Sequence, residues 1–129
     1  QLLCPLNDRS KRFPMPAGGL FSTASDTALF RQMLLNGGEL NGKRYLSEAA
    51  FKELTTRQTP ESIPNSYGLG LAVGADWFGH GGAHATNMEI RPSKGIVMIW
   101  MVQHGGFPGE GGKAQGVFKN WAMQRFGKR

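Results

Sequence analysis

Between Trp77 and Asn87 the chain reads Trp77-Phe78-Gly79-His80-Gly81-Gly82-Ala83-His84-Ala85-Thr86-Asn87, a glycine-rich approach to a strand that carries two of the three histidines. Gly81 and Gly82 remove side chains that would hold a ligand away, so backbone N–H groups in such a segment can come close to one. In the plainest reading the glycines make a bulge, and His80 and His84 are ordinary edge residues. A metal reading would use His80, His84 and His104. It is weak on geometry, because four residues along a strand span roughly 13 Å, too far for two side chains to share one ion without a bend. No nearby carboxylate spacing supports it either, so the residues call for neither a metal nor another cofactor.

Composition narrows what must position this segment. Glycine makes up 19 of 129 residues, about twice the ordinary share of about 7%. The long apolar runs argue against disorder, and no run approaches the roughly 18 residues of a membrane span. The net charge is +6, but eight of the 15 basic residues sit toward the two ends (Arg9, Lys11, Arg12; Lys113, Lys119, Arg125, Lys128, Arg129) and they form no stripe with interleaved aromatics. That distribution argues against nucleic acid as a partner. The single cysteine, Cys4, excludes a disulfide scaffold and a cysteine-based metal site. The opening Gln1-Leu2-Leu3-Cys4-Pro5 has no initiator Met and no charged region leading into an apolar one, so the chain reads as cut from something longer.

The pattern predicts an α+β fold: an antiparallel sheet of about three strands packed against a C-terminal helix and preceded by a helical segment. Residues 1–17, with Pro5, Pro14 and Pro16, read as an extended lead-in. Residues 18–60 read as a helical part. Ser22 or Ser25 would cap a helix whose inward face carries Leu29, Phe30, Met33 and Leu34, ended by Gly37-Gly38. Asn41-Gly42 predicts a tight hairpin, and Ser47 caps a second helix with Leu46 and Phe51 placed as a hydrophobic staple.

Residues 66–103 read as antiparallel strands. Tyr67 to Val73 alternates as one strand, with Gly68, Gly70 and Ala72 as a thin face and Tyr67, Leu69, Leu71 and Val73 in the core. Thr86–Arg91 and Ile96–Val102 are neighbours joined by Pro92-Ser93-Lys94-Gly95. The second of these lacks a polar face and needs covering on both sides. Residues 112–127 read as a helix with Ala114, Val117, Phe118, Trp121 and Ala122 inward, Lys119 and Asn120 outward, and Arg125 inside the stripe, where it must snorkel or pair.

Nearly the whole chain, read as residues 1–129 of one domain portion, resembles the C-terminal part of the serine β-lactamase-like superfamily. That group includes class C β-lactamases, family VIII esterases and D-Ala-D-Ala carboxypeptidases. The residues that carry the likeness are Pro16-Ala17-Gly18-Gly19-Leu20-Phe21-Ser22-Thr23-Ala24-Ser25-Asp26, Met33-Leu34-Leu35-Asn36-Gly37-Gly38, Gly42-Lys43-Arg44, Tyr67-Gly68-Leu69-Gly70 and Gly79-His80-Gly81-Gly82-Ala83, in that order and spacing. The resemblance implies part of the β-lactamase-like α/β sandwich. It implies that His80-Gly81-Gly82 is the family's His-x-Gly triplet on the strand lining the active site. His80 would then have an electrostatic or proton-relay role beside the nucleophile, and the Ala83 N–H would be one of two oxyanion-hole donors. Such a donor is worth about 2.7–4 kcal/mol. Trp77, Phe78 and His84 would border the acyl or leaving-group pocket, with core packing as the plainer role for the aromatics. His84 and Ala85 stand where related sequences often place an aromatic and a glycine.

The family's nucleophile is the serine of Ser-x-x-Lys. Three residues beyond Ser10, Ser22, Ser25, Ser47, Ser62, Ser66 and Ser93 stand Phe13, Ser25, Ala28, Ala50, Asn65, Leu69 and Ile96, none of them Lys. Tyr45 and Tyr67 are followed two places on by Ser47 and Leu69, so Tyr-x-Asn is not found, and neither is a Gly-x-Ser-x-Gly elbow. Loss of the nucleophile removes on the order of 10⁶ in kcat, while oxyanion elements alone give roughly 10³–10⁴ over water. The expectation is a hydrolase fragment, inactive alone, whose complete protein acts on a small ester, amide or β-lactam and whose partner is an N-terminal segment. The rival expectation is a non-catalytic binding module that self-associates through an exposed strand edge.

Overall fold

A computed structural model describes residues 8–11, 20–102, 104 and 109–128. Most of the expected lead-in, Pro16 to Gly19, and Gly105 to Pro108 therefore lie outside the described residues. Within the lead-in, Arg9–Lys11 form one 3₁₀ turn instead of extended chain, because Asp8 accepts from the Ser10 N–H and hydroxyl at 3.0 and 2.6 Å.

Helix α1 spans Ala24–Leu35. Its cap is Thr23, neither Ser22 nor Ser25: the Thr23 Oγ1 accepts from the Asp26 N–H at 3.1 Å and donates to the Asp26 carboxylate at 2.9 Å. This reciprocal pair satisfies an orphan donor at the point where the chain leaves extended geometry. At the other end Gly37 and Gly38 take φ of +68° and +99°, and their N–H groups return to Leu34 and Met33. The Asn41-Gly42 hairpin forms between β1 (Glu39–Leu40) and β2 (Lys43–Arg44), with positive φ at both turn residues. Ser47 caps α2 (Glu48–Thr55) through the Ala50 N–H, and Leu46 and Phe51 both pack on the core.

The expected strand over Tyr67–Val73 is instead a tight fold-back. Only β3 (Ala72–Val73) is strand, and Tyr67 pairs with Ala72 across a turn in which Gly70 has φ +80°. Alternation of large and small residues does not distinguish a strand from a two-armed turn; a left-handed glycine at its centre decides. Leu69 consequently sits at the tip, 56% exposed, while Leu71 is buried. Gly68 keeps its expected role, since a Cβ there would lie 2.3 Å from the Leu54 carbonyl oxygen.

Strands β4 (Phe78–Gly81), β5 (Asn87–Arg91) and β6 (Ile96–Trp100) complete a four-stranded antiparallel sheet in the order β3-β4-β5-β6, one strand more than expected. The Pro92–Gly95 turn closes with Gly95 at φ +58°. Pairing of Phe78 with Ile90 and of Ile90 with Val97 places these three on one side of the sheet; Gly79, Glu89 and Met98 share the other. On the first side Phe78 and Ile90 meet Met33 and Leu34 of α1. On the second, Ile96 and Met98 meet Ala122 of α3 (Ala114–Phe126), with Phe118 and Met123 alongside. The apolar strand β6 is thus covered on both sides, and the chain is α+β.

Both helices are rotated relative to their expected faces. In α1 the inward residues are Thr27, Arg31, Met33 and Leu34, while Leu29 and Phe30 are more than half exposed. In α3 Val117 and Trp121 point outward, Lys119 turns inward to the sheet, and Arg125 lies exposed beside the Phe126 ring. Helix phase follows the partner surface, and in each case the deciding polar residue found a contact that periodicity does not encode.

Candidate active site

The turn after β4 is built by close backbone approach. Gly79 is bare because a Cβ would fall 2.0 Å from the Met88 carbonyl oxygen, and Gly82 because a Cβ would fall 2.2 Å from Thr86 Oγ1. At Gly81 a Cβ would make only an ordinary contact, 3.5 Å from Asn87 Nδ2. Of the two glycines singled out in the sequence, packing demands only Gly82; the unanticipated demand is at Gly79. Gly82 N–H donates to the Thr86 carbonyl at 2.8 Å and Ala85 N–H to the Gly82 carbonyl at 3.0 Å, which closes a turn that sets Ala85 at φ +62°. Such a backbone conformation favours glycine over alanine.

His80 is exposed near the end of β4. Its Nδ1 lies 2.5 Å from the Gly81 carbonyl oxygen. A carbonyl can only accept, so Nδ1 carries the hydrogen and donates in this contact. The imidazole stands edge-on to Tyr67, ring centroids 5.9 Å apart at 64°. Tyr67 is delivered by a pinned loop: Arg57 donates to the carbonyls of Thr59, Pro60 and Ile63, and Thr59 Oγ1 accepts from the Tyr67 N–H. The sequence signal for Tyr67 was its place in the Tyr-Gly-Leu-Gly motif; its contact with His80 needed the fold-back.

Ala83 is exposed in the turn, and its N–H donates to no other group among the described residues. His84 is half-buried, and its carbonyl accepts from the His104 N–H at 3.2 Å. Among the described residues no three His, Cys, Asp or Glu side chains converge as a metal site. Phe78 is 5% exposed and packs edge-on to Phe51 in the main core. The half-buried Trp77 indole lies over Gly74, where a Cβ would fall 2.0 Å from Nε1. Trp77 and Phe78 also line an open depression of about 360 Å³ with Phe51 and Val73. His80, Gly81, Gly82 and Ala83 follow one another from the end of β4 into the turn, while Phe78 lies in the core.

A second depression of about 350 Å³ borders His80 and Gly81 and continues along Asn87, Glu89, Arg91 and Lys119. Glu89 is its anchor. Burial pushes the Glu89 carboxyl up, but hydrogen bonds and charge from Lys119 at 2.7 Å and Arg91 at 2.6 Å more than offset that and hold it below the usual glutamate value. This bridge ties α3 to the strand opposite Gly79. An alternating strand and an outward-facing lysine were all the sequence offered for it.

Comparison with known proteins agrees with the residue pattern. The Beta-lactamase family profile matches residues 3–117. Two Mycobacterium tuberculosis proteins, "Protein Rv1367c" of strain ATCC 25618 / H37Rv and "Uncharacterized protein MT1414" of strain CDC 1551 / Oshkosh, are each 31% identical over 113 residues, covering 67% of this chain. The match spans 28% of the length of each relative. No described helix is long and apolar enough to cross a membrane. With a matching family profile over most of its length, the chain belongs to the β-lactamase family.

Proposed function

We propose that this chain forms one wall of the active site of a serine hydrolase that works by acyl transfer on an ester, amide or β-lactam. The observation that carries the reading is an exposed His80, its Nδ1 donating to the Gly81 carbonyl, followed on the same β4–β5 turn by the Ala83 N–H, which donates to no other group among the described residues. In this reading Nε2 relays a proton or stabilises charge beside the nucleophile, and the Ala83 N–H meets the oxyanion that develops on the acyl carbonyl. Gly82 lets the turn close against Thr86 without a side chain in the way. Tyr67 holds the imidazole plane, and Trp77 and His84 border the pocket. The nucleophile is a Ser-x-x-Lys serine on a segment outside this sequence, a reading supported by the absence of that spacing at all seven serines.

A fluorophosphonate probe with a chromogenic ester tests this. The expected result is no labelling of the chain alone, and both labelling and turnover once an N-terminal segment carrying Ser-x-x-Lys is supplied. Labelling of the chain alone would refute the division of the site. If the supplemented protein neither labels nor turns over substrate, the self-associating binding module takes its place, with the outer edge of β6, unpaired among the described strands, as its contact.

A further inference from the structure

Two buried polar side chains on the inward face of α1 have poor partners. Arg31 is 5% exposed and its Nη1 has no hydrogen-bond partner; its Nε donates only to the Met88 thioether, at 3.3 Å. Thr27, one turn earlier and 8% exposed, has its hydroxyl 3.3 Å from Ser22 Oγ and 3.9 Å from the Met101 sulfur. A thioether is a weak acceptor, and a guanidinium does not deprotonate in proteins. A buried cation in that position calls for an anion. No described carboxylate pairs with Arg31: those of Asp8, Asp26, Glu39, Asp76 and Glu89 are engaged elsewhere.

We propose that Thr27 and Arg31 form a binding site for a small carboxylate between α1 and the sheet. Residues four apart on a helix stand one above the other, so one carboxylate can take the Arg31 Nη1 donor on one oxygen and the Thr27 hydroxyl on the other. A single guanidinium among apolar and thioether groups balances one negative charge, which favours a monocarboxylate over a phosphate with nearly two. Phe30, 51% exposed with its ring 5.1 Å from the guanidinium carbon, and Met101, 39% exposed, are the side chains that move to admit it. Met88 pairs directly with His80 across β4 and β5, so the carboxylate would sit one strand away from the His-x-Gly turn. The site does not depend on His80 being catalytic.

Methionine-methyl NMR of the 129-residue chain provides the test, with sodium acetate as probe and sodium chloride at matched ionic strength as control. Acetate is expected to shift the Met88 and Met101 methyl signals along a saturable curve that chloride does not reproduce, with Met98 and Met123 unmoved. Arg31→Met should abolish the saturable shift. Thr27→Val should weaken it, and so should Arg31→Lys, which keeps the charge but not the planar fork. A linear or absent response in the wild-type chain overturns the site, as does a curve unchanged in Arg31→Lys and Thr27→Val. Those two milder variants decide the matter if Arg31→Met does not fold.

Discussion

Glu89 and Met88 are neighbours on β5 but face opposite sides of the sheet, where charge is handled in opposite ways. On the α3 side a buried carboxylate meets two cations at 2.6 and 2.7 Å. On the α1 side a buried cation meets a thioether and leaves one nitrogen unpaired. The paired side joins structural elements: Lys119 from the C-terminal helix and Arg91 from the sheet close on one carboxylate. The α1 side carries one buried donor without a partner, Arg31 Nη1, and it is also the side on which alternation along β4 puts His80 with Phe78. A paired buried charge ties together the elements that supply its partners, whereas an unpaired one remains a cost until an anion reaches it.

The largest expected effect is on the paired side. Glu89→Ala leaves Lys119 and Arg91 facing a buried gap; because both cations keep some solvent access, the loss is about 1–3 kcal/mol, at or below the usual range for breaking a buried pair. Urea denaturation checks it. The same carboxylate sets a pH dependence. Its folded pKa is depressed, so its contribution is complete above the unfolded value of about 4.3 and is lost as pH falls through the lower folded value. Acid denaturation of Glu89→Gln should therefore be shallower than that of the wild type.

On the α1 side the sign reverses. Arg31→Met removes an unpaired buried cation, which burial already pulls below its ordinary pKa, and in buffer without carboxylates it should stabilise the chain by about 1–2 kcal/mol. A loss of that size would mean that Arg31 is as well paired as Glu89, and the contrast between the faces would fail. A smaller gain, about 1 kcal/mol, is expected from Ala85→Gly, which relieves the positive φ in the β4–β5 turn. Thermal melts of the two variants, separately and combined, should be additive if the turn and the α1 face are independent.

Much of the turn and cap chemistry was legible in the sequence, although the α1 cap fell on Thr23 and not on the expected Ser22 or Ser25. Asn41-Gly42, Ser47, Gly37-Gly38 and Gly95 all act where their types require. Helix phase was not legible, because Thr27, Arg31 and Lys119 face inward for reasons that lie on β5 and β6. Tyr67–Val73 misled because period two describes its spacing, while the left-handed Gly70 folds it back on itself. The His80 turn stood out only through its resemblance to a family motif. Nothing local separates His80 from an ordinary edge histidine, and its Nδ1 contact with Gly81 exists only once the turn has closed.

The most direct test of the hydrolase wall is kcat for His80→Ala in the chain supplemented with a Ser-x-x-Lys segment, acting on a chromogenic ester. If His80 and the Ala83 N–H form one wall of a serine hydrolase site, kcat should fall by roughly 10²–10⁴ while the fluorophosphonate-reactive serine remains present. An unchanged kcat would remove His80 from the mechanism and reduce the glycine-rich turn to an ordinary strand end.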